Sequence, residues 1–256
     1  ENAGEKEKWY QEFKGDKKIN VPFTYETKLS GIQDKPRHDF IWYHRTINVD
    51  GAKLENNRYI LHFEGSDFIT KVWVNGTYAG SHRGGYARCS FDVTNLVHDG
   101  ENELTVKVED SFDTQQPRGK QRWINENFGC WYVQTTGIWK TVWSEYVPKI
   151  SLASVKMTPD LQNAALKLEY EVAAAEKDLN DDLMITATVS FQGTTVAKQC
   201  VMANQKHVET TVKVAYEGTV GLEWGVRTWT PAEPDLYDID FAVVYKGETV
   251  DTIGSY

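Results

Sequence analysis

The chain has 256 residues, 40% hydrophobic and 25% charged, the composition of a globular protein with room for one large or two medium domains. A net charge of −9 without a basic cluster excludes a phosphate-tracking nucleic-acid surface, and no apolar run reaches membrane-spanning length. Cys89, Cys130 and Cys200 are too widely spaced for a disulfide framework or a zinc site. His38, His44, His62, His82, His98 and His207 show no metal-ligand spacing and read as core or solvated histidines.

In chain order, the polar start Glu1–Lys8 lacks a signal-peptide pattern. Short alternating segments follow, separated by turn residues. Strands are expected over 40–49, closed by Asp50-Gly51, over 58–64 and over 68–74. The last of these runs into Asn75-Gly76, a hairpin signal because both positions of the tight turn take positive φ. Segments 87–93 and 103–109 continue the pattern, and strands at this spacing predict a sandwich or barrel. Residues 110–131 then break the rhythm as a polar loop of about twenty residues, a length usually kept for function or disorder.

Beyond the loop, a Gly-entered strand is expected over 137–143, with Ile138, Lys140 and Val142 alternating against Trp139, Thr141 and Trp143. Val147-Pro148-Lys149 is the expected domain boundary. The second half alternates more strictly, at Leu166–Val172, Ile185–Phe191, Val208–Val214 and Ile239–Val243, with turns at Gln192-Gly193, Glu217-Gly218 and Lys246-Gly247. About seven strands in roughly a hundred residues suggest an immunoglobulin-like sandwich. Nine Trp and thirteen Tyr suit such cores; some of these rings are expected at sugar-stacking surfaces instead.

Several short motifs stand in a telling order: Val21-Pro22-Phe23, Trp42-Tyr43-His44-Arg45, Leu61-His62-Phe63-Glu64, Val72-Trp73-Val74-Asn75-Gly76, His82-Arg83-Gly84-Gly85-Tyr86 and Phe91-Asp92-Val93-Thr94-Asn95-Leu96. Pro117-Arg118-Gly119-Lys120-Gln121, Thr136-Gly137-Ile138-Trp139, and Trp229-Thr230-Pro231 with Pro234-Asp235-Leu236-Tyr237 complete the set. In this order they resemble the family 2 glycoside hydrolases, which include β-galactosidases, β-glucuronidases and β-mannosidases. The resemblance implies an all-β chain: a jelly-roll, galactose-binding-like sandwich over 1–147, then an immunoglobulin-like sandwich over 148–256. In the family a TIM barrel with two catalytic glutamates follows, so both ends of this chain are expected to be cut from a longer enzyme.

The resemblance implies no catalytic residue, metal or cofactor in this portion. A retaining glycosidase needs two carboxyl groups about 5–5.5 Å apart, one with a raised pKa. Asn125-Glu126 resembles the family's acid/base dipeptide but lies in the wrong context, so Glu126 reads as a solvated loop residue. Relatives carry an acid six positions before the signature Gly; here that position is Trp131, a stacking wall for a sugar or a core residue. Arg118, Lys120 and Gln121 are the remaining candidates, either at the substrate edge or as interdomain braces. The implied partners are a carbohydrate substrate, reached through the parent enzyme, and that enzyme's own barrel, with room for a homo-oligomer and no nucleic acid or membrane. A β-galactosidase-like parent is the leading reading; a free-standing carbohydrate-binding or adhesion module is the alternative. The compartment stays open, the missing disulfide framework and signal pattern pointing towards the cytoplasm.

Overall fold

A computed structural model describes residues 3–113 and 115–256; Glu1 and Asn2 of the polar start and Thr114 of the long loop lie outside the described residues. The chain divides into two compact units, Glu1–Val147 and Pro148–Tyr256. Both are antiparallel β-structures, a jelly-roll sandwich and an immunoglobulin-like sandwich.

The first unit comprises β1 (Phe40–Val49), β2 (Asn57–Phe63), β3 (Ser66–Asp67), β4 (Ile69–Val74), β5 (Thr77–Arg83), β6 (Cys89–Asp92), β7 (Gly100–Glu109), β8 (Gly137–Ile138) and β9 (Val142–Pro148). One sheet has the order β1-β7-β4-β5 and the facing one β6-β2-β9, while β3 and β8 make a small third pairing. Alternation explains the core. Tyr43, Leu61, Phe63, Val72, Val74, Val106 and Val108 point inward from both sheets and are buried together. Each such apolar side chain contributes roughly 1.5–3 kcal/mol on leaving water. The Asn75-Gly76 turn forms as its residue types require, with φ of 50° and 75°.

The outer face of the β1-β7-β4-β5 sheet is also covered. His44, Thr105 and Trp73 lie side by side across three strands, and Trp42, Lys107 and Lys71 form the next row. The segment before β1 crosses these rows. Tyr10 stacks on Trp73 with ring centroids 5.2 Å apart, Phe13 stacks on His44 at 4.9 Å, and Glu5 bonds Lys71 at 2.7 Å. Lys107 is 1% exposed and pairs with Glu5 and Glu109, which allows a charge to lie under the segment.

The signature segment differs from the continuous strand expected. Gly137–Ile138 pairs with Ser66–Asp67, the ladder then breaks, and β9 starts only at Val142. Trp139 and Lys140 both donate their backbone N–H to the Gly65 carbonyl, so an extra residue is inserted at this point. The two tryptophans therefore part company: Trp139 donates to the Gly85 carbonyl at 2.8 Å, whereas Trp143 stacks on His62 at 4.1 Å and donates to Glu64.

The second unit holds seven strands: β10 (Ser151–Asp160), β11 (Ala165–Ala173), β12 (Leu183–Phe191), β13 (Thr194–Met202), β14 (His207–Lys213), β15 (Asp238–Tyr245) and β16 (Glu248–Ser255). They form sheets β10-β11-β14 and β13-β12-β15-β16. The strict alternation in β12 buries Leu183, Ile185, Ala187, Val189 and Phe191, with the first four joining Leu168, Tyr170 and Phe241 in one core.

Candidate functional site

The long loop following β7 folds back against the β3–β8 pairing, and a buried carboxylate lies at the junction. Asp67 is only 4% exposed and faces Gly137 in register. Its Oδ2 accepts a 2.7 Å hydrogen bond from Gln121 Nε2, while Gln121 Oε1 accepts the Thr135 backbone N–H at 2.6 Å. Burial raises the Asp67 pKa from 3.8 to about 6, with Gln121 pulling the other way, Asp110 adding to the rise and Arg118 opposing it. Its surroundings leave no slack. A Cβ on Gly85 would run into the Asp67 carboxylate, and one on Gly137, at φ 120°, would overlap the Tyr43 hydroxyl. That hydroxyl oxygen accepts the Ile138 N–H at 3.2 Å, and burial raises its pKa.

A second carboxylate lies nearby. Asp110 is buried, accepts the Ser111 N–H at 2.7 Å and a Gln116 amide, and has its pKa raised by burial, with Ser111 and Arg118 opposing. Arg118 is buried too, its guanidinium 3.7 Å from Asp110 and bonded to the carbonyls of Ser111 and Arg122. Both acids are thus occupied by protein donors. Glu26 reaches the same region, its Oε1 accepting from Thr24 and Thr135 while Oε2 is buried with no hydrogen-bond partner among the described residues.

The four residues singled out in the sequence take different positions. Arg118 and Gln121 point into the loop and brace it. Lys120 lends its backbone carbonyl to Tyr132, but its side chain is exposed and meets no partner among the described residues. Trp131 is half-buried in a cluster with Trp123 and Phe128, 4.6 and 6.3 Å away between ring centroids. Tyr86 sits above Gly119 at the rim and is 50% exposed. Glu126 is exposed. The face thus exposes the Lys120 ammonium, the Tyr86 phenol and the edges of the Trp131 cluster.

Asp67 is absent from the sequence-derived candidates. Nothing local marks it among 37 acidic residues; its burial arises from pairing with a strand seventy residues further on. Away from this face, Glu169, His207 and Glu209 place ligand atoms within 4.8 Å of one another on β11 and β14. Lys156 and Lys167 already pair with those carboxylates at 2.9 Å, making the group an ion-pair ladder.

Two antiparallel sandwiches, the first with a braced polar loop over a buried carboxylate, define a two-domain all-β protein. Residues 6–147 match the family profile "Glycosyl hydrolases family 2, sugar binding domain", and residues 150–256 match "Glycosyl hydrolases family 2". The chain belongs to glycosyl hydrolase family 2. It is 28% identical over 240 residues to a putative β-glucuronidase of Formosa agariphila, covering 92% of this chain. It is 24% identical over 213 residues to a β-galactosidase of Thermoanaerobacter pseudethanolicus, covering 82%. The chain spans 27% of the length of each of these relatives. Among solved structures, a β-glucuronidase from Ruminococcus gnavus superposes over 100% of this chain and 42% of its own, with a TM-score of 0.75 at 17% identity.

Proposed function

We propose that this chain is the non-catalytic, N-terminal part of a β-galactosidase-like family 2 glycosidase, which hydrolyses O-glycosyl bonds in carbohydrates once a TIM barrel supplies the two catalytic carboxylates. The observation that carries this reading is the unbroken run of two family 2 profiles, on a chain spanning 27% of relatives that include a β-galactosidase and a putative β-glucuronidase. The site chemistry is consistent with it. Asp67 and Asp110 both have raised pKa values, but each is buried and held by protein donors, so neither is free to act as a glycosidic acid or nucleophile. In this reading Arg118 and Gln121 stiffen the loop, while Lys120 and Trp131 stand at the substrate edge or against the barrel.

Assaying the chain alone on nitrophenyl β-galactoside and nitrophenyl β-glucuronide tests the proposal. The expected result is no turnover by this chain and turnover by a longer protein that includes a barrel. Robust hydrolysis by the chain alone overturns it.

A further inference from the structure

The outer face of the β10-β11-β14 sheet, in the second unit, gathers ligand-type side chains that play no part in the loop face. Strand alternation puts them there. Leu168, Tyr170, Val172 and Val208 turn inward to the core, so Glu169 and Glu171 on β11 and His207 and Glu209 on β14 turn outward. The antiparallel register sets Glu169 opposite Glu209 and Glu171 opposite His207, making a square of three carboxylates and one imidazole. His207 shows no ligand spacing along the chain because its companions arrive across the strand pairing.

Within the square, geometry divides the roles. One ligand atom each from Glu169, His207 and Glu209 lies within 4.8 Å of the other two. Glu209 Oε1 faces His207 Nε2 at 3.1 Å, while Glu171 Oε1 sits 2.7 Å from the other ring nitrogen, Nδ1. A neutral imidazole that donates its Nδ1–H to Glu171 directs the Nε2 lone pair towards Glu209. A carboxylate behind the ring is how metal-binding histidines are oriented. The flanking lysines leave ligand oxygens available. Lys156 holds Glu169 Oε2 and Lys167 holds Glu209 Oε2, both at 2.9 Å, and Lys167 lies 3.8 Å from Glu169 Oε1. Glu169 and Glu209 repel each other across the strand pair, and a cation placed between them relieves that repulsion more directly than lysines at the flanks.

From this geometry we propose that the sheet face binds one zinc ion through His207 Nε2 and one oxygen each of Glu209 and Glu169. Water fills the fourth place, and Glu171 is a positioning residue behind the imidazole. Tetrahedral zinc with bonds of about 2.0–2.1 Å sets its ligand atoms about 3.3 Å apart. The Glu209–His207 contact of 3.1 Å is already close to that spacing. The wider separations, at most 4.8 Å, close by a rotation of the Glu169 side chain. The donor set selects the metal class. An imidazole nitrogen suits zinc and its neighbours, whereas magnesium and calcium take oxygen ligands alone. The site does not rest on the glycosidase reading of the chain, since it lies in the other unit and uses none of the loop residues.

Titration calorimetry and ring-nitrogen NMR on this chain, first stripped with a chelator, test the proposal with zinc chloride and magnesium chloride as probes. One zinc per chain should bind with a Kd on the order of 100 µM, far weaker than a closed four-ligand site. The NMR signal of His207 Nε2 should move on binding. Magnesium at ~10 mM should neither bind there nor displace zinc. His207, Glu171 and Glu209 have side chains about half exposed, so their variants should fold, which circular dichroism verifies. His207→Gln and Glu209→Gln should each weaken zinc binding by ~10-fold or more. Glu171→Gln should weaken it by ~10-fold while the ion stays on Nε2, the mark of a residue that orients the ring. His38→Gln, at another exposed histidine–carboxylate pair, should change nothing. The proposal is overturned by the absence of saturable zinc binding to folded protein at ~2 mM, well above that Kd. It is overturned equally by zinc binding that His207→Gln leaves intact, or by magnesium binding as tightly as zinc.

Discussion

Gln121 joins Asp67 to Thr135, giving its amide N–H to the Asp67 carboxylate at 2.7 Å and accepting the Thr135 backbone N–H at 2.6 Å. One side chain thereby closes the long loop against β3 and the segment leading into β8. It does so over a carboxyl group whose pKa burial raises from 3.8 to about 6.

The first prediction concerns that carboxyl group. Its pKa is about 6 in the folded protein against an ordinary 3.8, so the folded state binds the proton more tightly than the unfolded chain does. Asp67 therefore costs nothing extra below pH ~4, costs progressively more as the pH rises, and reaches a full penalty of roughly 3 kcal/mol above pH ~6. Asp67→Asn has no charge to bury and keeps an acceptor for Gln121. Urea unfolding of both proteins should agree near pH 4 and diverge in favour of the variant by pH 7. A stability difference that stays flat across that range would show the carboxyl to be ionised throughout.

A second prediction follows from the backbone around this pair. Gly137 has a φ of 120°, and a methyl there would meet the Tyr43 hydroxyl that receives the Ile138 N–H. Gly137→Ala combines backbone strain with overpacking and should cost about 2–4 kcal/mol in denaturant unfolding of the first unit. Gly193→Ala is the control, also at positive φ (78°) but with open space around it, and should cost about 1 kcal/mol. Equal losses from the two variants would remove the steric part of the account.

The contrast between those glycines shows what a linear reading reaches. Alternation over Leu183–Phe191 and the Asn75-Gly76 turn are local patterns, and each specifies its own element whatever surrounds it. The all-β class and the two sandwiches follow from many such segments. The arrangement around Asp67 is different, because its burial needs β8, the Gly85 turn and Gln121 at once, all distant in sequence. The break between Gly137-Ile138 and Val142 is likewise invisible in alternation, since the Gly65 carbonyl that causes it lies on another strand connection. Arg118 and Gln121 stand out in the sequence only as hydrogen-bond donors of a long polar loop. That they point inward, and Lys120 outward, depends on partners the motif itself does not contain.

Arg118 gives the third prediction. It and Asp110 have side chains only 6% and 4% exposed, and the guanidinium also holds loop carbonyls. Removing one partner of a buried pair strands the other, so Arg118→Met should destabilise the first unit by about 3–5 kcal/mol. Hydrogen exchange should quicken across residues 110–131. Adding Asp110→Asn should recover part of the loss, giving a coupling energy of about 1 kcal/mol or more between the two positions. Additive losses in the double variant would mean that the carbonyl bonds alone hold the loop.

The last prediction lies in the second unit. His207 Nδ1 is 2.7 Å from Glu171 and Nε2 is 3.1 Å from Glu209, and these two carboxylates raise its pKa above 6.5. A raised folded-state pKa means that the protonated imidazole adds stability below pH 6.5, and that this contribution fades as the pH climbs from 6.5 through the folded value. The side chain is half exposed, so the attraction is screened by solvent and by salt. In an NMR titration the His207 ring protons should therefore show a pKa above the ordinary value at low salt and return towards it in 1 M salt, where the Debye length is about 3 Å. Replacing Glu171 with Gln should lower the value more than replacing Glu209, because the Glu171 contact is the shorter and the larger cause of the shift. A His207 pKa that neither salt nor Glu171→Gln moves would rule out these carboxylates as its source.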